Sequence, residues 1–234
     1  MARFKLDLAI PEPEPSGPSA RSQILASTDT DPIDLSVIDL LILDFDDTII
    51  EPGAWDRTPD DIRKSKVERI EQFFRNLLDN GKRVCICTSG SNASRFAAST
   101  SELIDRYDES RNLTSYVPIF DSFTLLEEPS IPLEMYEPGD TVHTGFSAKN
   151  DRLNLILNLY HEEAFKVSHK IDFTLPRRTL FVDDQQAILQ NARIAIGCHT
   201  RLAKLNGSED VVDLFYRLSL NKPDFLFAGL MDDE

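Results

Sequence analysis

The chain has 234 residues, 41% of them apolar, enough for one sizeable domain with a buried core and too few for two large ones. Its 40 Asp and Glu against 25 Lys and Arg leave a formal charge of -15, which repels polyanions and argues against nucleic acid or an anionic membrane surface as a partner. The opening MARFKLDLAI lacks the sustained apolar core of a signal peptide, and no stretch reaches the roughly 20 apolar residues of a membrane span, so a soluble, cytoplasmic protein is expected.

Residues 11 to 32, PEPEPSGPSARSQILASTDTDP, combine Pro, Ser and charge without apolar periodicity, and a flexible leader over about residues 1 to 35 is expected. Val37 to Leu43, VIDLLIL, is nearly all apolar and reads as a first strand covered on both faces. Thr58-Pro59-Asp60-Asp61 has the hydroxyl, proline and acids of a helix start, and apolar residues follow at helical spacing until Asn80-Gly81. The strand RVCIC (83 to 87) comes next, then a polar turn and a helix through about Tyr107, and then the apolar stretch SYVPIF (115 to 120). Cys85 and Cys87 lie inside the RVCIC pattern and, with Cys198, read as core residues in preference to metal ligands.

Residues 121 to 148 show no clear periodicity and are expected to form a small insertion; Asn150 to Phe165 then reads as a helix. The strand TLFVDD (179 to 184) follows, then a helix from Gln185 to Arg193, a short strand at Ile194 to Ile196, and a closing helix near Glu209 to Leu220. Strands alternating with helices predict an α/β fold, a doubly wound, Rossmann-like parallel sheet with helices on both faces, in a catalytic domain spanning about residues 36 to 220. Residues 221 to 234 form a C-terminal tail whose PDFLFAGLMDDE either docks back on the domain or engages a partner.

In such sheets the ligand crevice lies beyond the carboxyl ends of the strands. After the first strand stands Asp44-Phe45-Asp46-Asp47-Thr48; alternation along an extended backbone would point Asp44 and Asp46 the same way, into one pocket. Like charges so close call for a cation or a proton, and carboxylate oxygens suit Mg²⁺. Thr88-Ser89-Gly90 after the second strand offers a hydroxyl and backbone N–H groups to an anion. Lys149 precedes a later helix, and Asp183-Asp184 ends the TLFVDD strand.

This ordered set resembles the haloacid dehalogenase (HAD) superfamily, whose first motif has the form Asp-x-Asp-x-Thr, here DFDDT, and the resemblance covers about residues 37 to 200. It implies a Mg²⁺-dependent phosphatase in which Asp44 is the nucleophile that forms an aspartyl-phosphate and Asp46 protonates the leaving oxygen and later activates water. Thr88 would bind a phosphate oxygen, with Ser89 as its substitute, and Lys149 would offset charge around Asp44 and the phosphoryl group, with Lys166 and Lys170 as alternatives. Asp44, the backbone carbonyl of Asp46, Asp183 and Asp184 would surround the metal. Retention of Asp46 favours phosphate over halide; Asp47 departs from the glycine common at that place in the family and adds negative charge.

A receiver domain shares the fold class and residue types, but there the acidic pair follows the first strand and the phosphorylated aspartate stands alone, an order this chain does not have. A catalytically silent protein-binding module on the same fold is the stronger rival. The 43 residues between Asp44 and Thr88 are largely taken by IIEPGAWDRT and a helix, and the 60 between Thr88 and Lys149 leave only about 121 to 148 for an insertion, so a capless or small-capped site is expected. Its substrate would be a phosphorylated protein or a small phosphate ester.

Overall fold

A computed structural model describes residues 32–51, 60–89, 92–97, 103–121, 144–168, 175–207 and 209–230. Six strands form one sheet: β1 (Leu40–Leu43), β2 (Arg83–Cys87), β3 (Ile104–Arg106), β4 (Val117–Phe120), β5 (Thr179–Asp183) and β6 (His199–Leu202). Their order is β3-β4-β2-β1-β5-β6, and every pairing is parallel. The helices are α1 (Asp60–Asp79), α2 (Asn92–Ala97), α3 (Thr144–Ser168), α4 (Gln186–Ala195), α5 (Val211–Leu218) and α6 (Asp224–Phe227). This is the expected α/β Rossmann-like sheet.

Side-chain alternation along the strands divides the core in two. Leu41, Leu43, Val84, Ile86, Leu180 and Val182 face one side and pack with Phe73 and Phe74 of α1, Phe96 of α2 and Phe215 of α5. Leu40, Ile42, Cys85, Cys87 and Phe181 face the other, against Leu153, Ile156 and Tyr160 of α3 and Leu189 of α4. A strand with helices on both faces has no solvated side, which is why LLIL and TLFV read as continuous apolar runs. All three cysteines are buried and unpaired, and burial pushes the Cys85 and Cys87 thiols up, as core residues require.

The ends of α1 and α5 are held by local chemistry. Gly81, at φ +73, lets the chain turn out of α1 while the Gly81 N–H donates to Leu78 and that of Lys82 to Leu77. Asp210 and Asp213 form a capping box at the start of α5, and Arg69 of α1 donates to both carboxylates. Residues at the boundary of the expected leader belong to the fold: Ile33 and Leu35 are buried, and the Ile33 N–H donates to Leu218. At the other end Leu226 and Phe227 are buried, with the Phe227 ring 6.4 Å from that of Phe73 and the Leu226 carbonyl accepting from Asn76. Residues 1–31, most of the expected leader, and 122–143, most of the expected insertion, lie outside the described residues, as do Thr58-Pro59 and Lys170.

Three local expectations change. The helix expected to run through Tyr107 covers only Asn92–Ala97 among the described residues, and Ile104–Arg106 is instead the edge strand β3, paired with β4. Ile194–Ile196 is not a strand; α4 continues to Ala195, and the last strand is His199–Leu202, paired with β5. In both cases pairing with a neighbouring strand, not a local period, sets which short segment becomes a strand. Finally, α3 begins at Thr144, six residues before the expected start, so Lys149 is inside the helix instead of before it. No helix among the described residues is long and apolar enough to cross a membrane.

Candidate active site

The chain runs from β1 to β2, out to the edge strand β3 and back to β4 between them, then crosses to β5 and β6 on the other side of β1. The reversal leaves a crevice at the carboxyl ends of β1, β2 and β5. Parallel register sets what faces what there: Leu43 pairs with Val182 of β5 and Ile86 of β2, and the Asp44 N–H donates to the Val182 carbonyl at 2.9 Å. Asp44 and Asp183 are therefore neighbours on adjacent strands. Both continue the side-chain phase of Ile42 and Phe181, so both face the layer that contains α3.

Lys149 reaches them from α3. Its ammonium donates to Asp44 Oδ1 at 2.8 Å and to Asp183 Oδ2 at 2.5 Å, and it lies 5.8 Å from the Phe181 ring centroid. All three side chains are buried. Burial alone penalises the ammonium, but Asp44 and Asp183 overcome that penalty and hold Lys149 above its ordinary value, fully charged. Of the three lysines that sequence left open, Lys149 touches these acids, while the Lys166 side chain and Lys170 lie outside the described residues.

Asp44, Asp183 and Asp184 present carboxylate oxygens all within 4.8 Å of one another. The donor set suits a hard divalent cation: three oxygen ligands, where an octahedral Mg²⁺ at about 2.1 Å asks for ligand oxygens about 3 to 4 Å apart. The protonation of the set says the same. Burial, ahead of the opposing pull of Lys149 and the push of Asp183, raises the Asp44 carboxyl to about 6. Burial also raises Asp183 and, with Asp44 and Asp47, Asp184. Crowded, desolvated carboxylates of this kind are under-neutralised by one lysine, and a divalent ion would supply the missing charge.

Asp183 spends one oxygen on Lys149 and the other on the Gln185 N–H, whereas Asp184 is half-buried. That division suits Asp183 to positioning Lys149 and leaves Asp184 freer for an ion.

Asp46 departs from expectation. Its carboxylate does not join the cluster of three but accepts a hydrogen bond from Asn92 Nδ2 at 2.8 Å. The chain leaves the extended conformation at Phe45, whose carbonyl accepts from the N–H groups of Thr48, Ile49 and Ile50, so strand alternation no longer applies. Asp47 completes this turn at φ +57, the left-handed region that favours glycine and that aspartate tolerates better than most side chains.

Thr88 is buried at the end of β2, with its N–H donating to Phe120 of β4 at 3.0 Å, and Ser89 is exposed beside it. Two residues not singled out in the sequence join them: Asn92 on Asp46, and Arg152, whose Nη2 donates to Ser89 Oγ at 2.9 Å. Arg152 follows Lys149 by three positions and so shares its helix face, the one signal that pointed to it.

The fold and this site define an all-parallel α/β protein with a lysine-bridged acidic cluster at the switch point of its sheet. No family model and no curated protein matches the sequence. Among solved structures, the chain is similar to the N-terminal part of the protein BF1531 from Bacteroides fragilis, containing a phosphatase domain and complexed with Mg, at 16% identity and a TM-score of 0.41. The likeness covers 81% of this chain and 40% of that one, and similarity at this level carries nothing about activity.

Proposed function

We propose that this protein is a Mg²⁺-dependent phosphoric monoester hydrolase of the HAD type, working through an aspartyl-phosphate on Asp44. The observation that carries the reading is the group of Asp44, Asp183 and Asp184 with Lys149 bridging the first two, at the sheet's ligand crevice. When bound, Mg²⁺ would supply charge neutralisation between these carboxylates and a phosphoryl group, held by Asp44, Asp183, Asp184 and the backbone carbonyl of Asp46.

The chain's own residues would do the rest. An Asp44 carboxylate oxygen attacks phosphorus, the ester oxygen leaves with the bond electrons, and Asp46 gives it a proton. Asp46, now ionised, takes a proton from water as that water attacks the phosphorus of the acyl phosphate; the Asp44–phosphorus bond breaks and inorganic phosphate is released. Lys149 keeps its proton throughout and offsets charge around Asp44 and the phosphoryl oxygens. Asn92 holds the Asp46 carboxylate in one orientation, and the Thr88 hydroxyl, with Ser89, binds a phosphoryl oxygen.

A screen of phosphopeptides, sugar phosphates, nucleotides and p-nitrophenyl phosphate, each with and without Mg²⁺, tests this. Phosphate release that requires Mg²⁺ and disappears in Asp44→Asn is the expected outcome. No release across the panel would leave the fold as a silent binding module.

A further inference from the structure

Arg152 stands out on electrostatic grounds. It projects from α3 and is only 6% exposed, yet among the described residues it forms no ion pair with a carboxylate. Its nearby partners are neutral: Nη2 donates to Ser89 Oγ at 2.9 Å, and the guanidinium hydrogen-bonds the Cys87 side chain. Its Nε has no hydrogen-bond partner among the described residues. A guanidinium has five N–H donors and stays charged, so burying it without a counter-ion or a full set of acceptors is costly. By contrast, the half-buried Arg69 is matched by Asp210 and Asp213.

Its position gives the imbalance a use. Cys87 ends β2, Ser89 follows Thr88, and Lys149 is one helical turn away, so the guanidinium lies on the Thr88-Ser89 side of the crevice, opposite β5. Lys149 is already shared between Asp44 and Asp183, so it offsets only part of the charge of an entering phosphoryl group. With Lys149 and a divalent ion the three carboxylates are balanced at most, which leaves no net positive charge for a phosphoryl dianion, and among the described residues Arg152 is an uncommitted positive charge beside them.

We propose that Arg152 is a substrate-binding residue: its guanidinium, exchanging part of its contact with Ser89, binds the non-bridging oxygens of the phosphoryl group entering beside Thr88. This rests on the phosphatase reading of the site, but the contact is with a tetrahedral oxyanion and can be measured without turnover. A planar fork of donors suits two oxygens of one phosphate, which a lysine at the same place does not match.

The experiment is calorimetric titration of inorganic phosphate into the Mg²⁺-loaded full chain, at matched ionic strength, for the wild type, Arg152→Met and Arg152→Lys. Arg152→Met keeps the aliphatic stem in its packing and should weaken phosphate binding by about 10- to 100-fold, the scale of a lost charge-assisted hydrogen bond. Arg152→Lys restores charge without the fork and should fall between the two; it also serves if the methionine variant fails to fold. With an ester that is turned over, Arg152→Met should raise KM by a similar factor and lower kcat less. Equal phosphate affinity in the wild type and Arg152→Lys, an Arg152→Met variant that folds and binds phosphate as tightly as the wild type, or no phosphate binding by the wild type, would each overturn the assignment. If the wild type binds phosphate through Arg152 but hydrolyses no ester, the anion site stands and the hydrolase reading falls.

Discussion

Replacing Asp44 by Asn should raise the stability of the metal-free protein while removing its activity, and the size of the gain should depend on pH. The Asp44 carboxyl is raised from an ordinary 3.8 to about 6, chiefly by burial. At ~1.4 kcal/mol per pH unit, ionising it in the fold costs about 3 kcal/mol more than ionising it in the unfolded chain. Because the folded value lies above the unfolded one, the contribution to stability is intact below pH 3.8 and is lost as pH rises through about 6. Asparagine has nearly the same shape and does not titrate, so it avoids the loss.

In urea unfolding with chelator present, the variant and the wild type should coincide near pH 4 and separate to about 3 kcal/mol by pH 8. For a chain of this length that corresponds to roughly 6 to 12 °C in Tm. The repulsion between Asp183 and Asp44 is one of the causes of the Asp44 shift, so its relief in the variant is already contained in this separation. Millimolar Mg²⁺ should reverse the order, because the ion stabilises only a protein that keeps its ligands. A difference that is constant with pH, or a variant less stable than the wild type at pH 8 in chelator, would refute the account of Asp44 as a desolvated, under-neutralised carboxylate.

Three further outcomes are expected. Asp46→Asn should slow turnover of an ester with a poor leaving group by about 100-fold or more, and an unchanged rate would remove Asp46 from acid-base catalysis. Asp184→Ala should abolish most of the Mg²⁺-specific rise in Tm at matched ionic strength together with most activity; retention of both would detach TLFVDD from the site. Phe227→Ala should cost about 3 kcal/mol in chemical denaturation, because the ring is buried beside Phe73 and Tyr216, and an unchanged midpoint would mean that α6 does not dock on α1.

Much of the architecture was legible because it follows from local periods. LLIL and TLFVDD are apolar without alternation because helices cover both faces of the sheet, and Asn80-Gly81 ends α1 because glycine can take φ +73 there. The acids at strand ends could be named from the sequence because a parallel doubly wound sheet opens its crevice at those ends.

The tertiary structure decided what depends on contacts between distant segments. Parallel register put Asp44 and Asp183 side by side, and the placement of α3 brought Lys149 and Arg152, over a hundred positions from Asp44, to the same crevice. The turn at Phe45 directed Asp46 toward Asn92 instead of into the acidic cluster, which alternation along DFDDT could not foretell. Periodicity constrains which face of its own element a residue occupies; which charges meet across elements is set by register and helix docking, and those are properties of the folded chain as a whole.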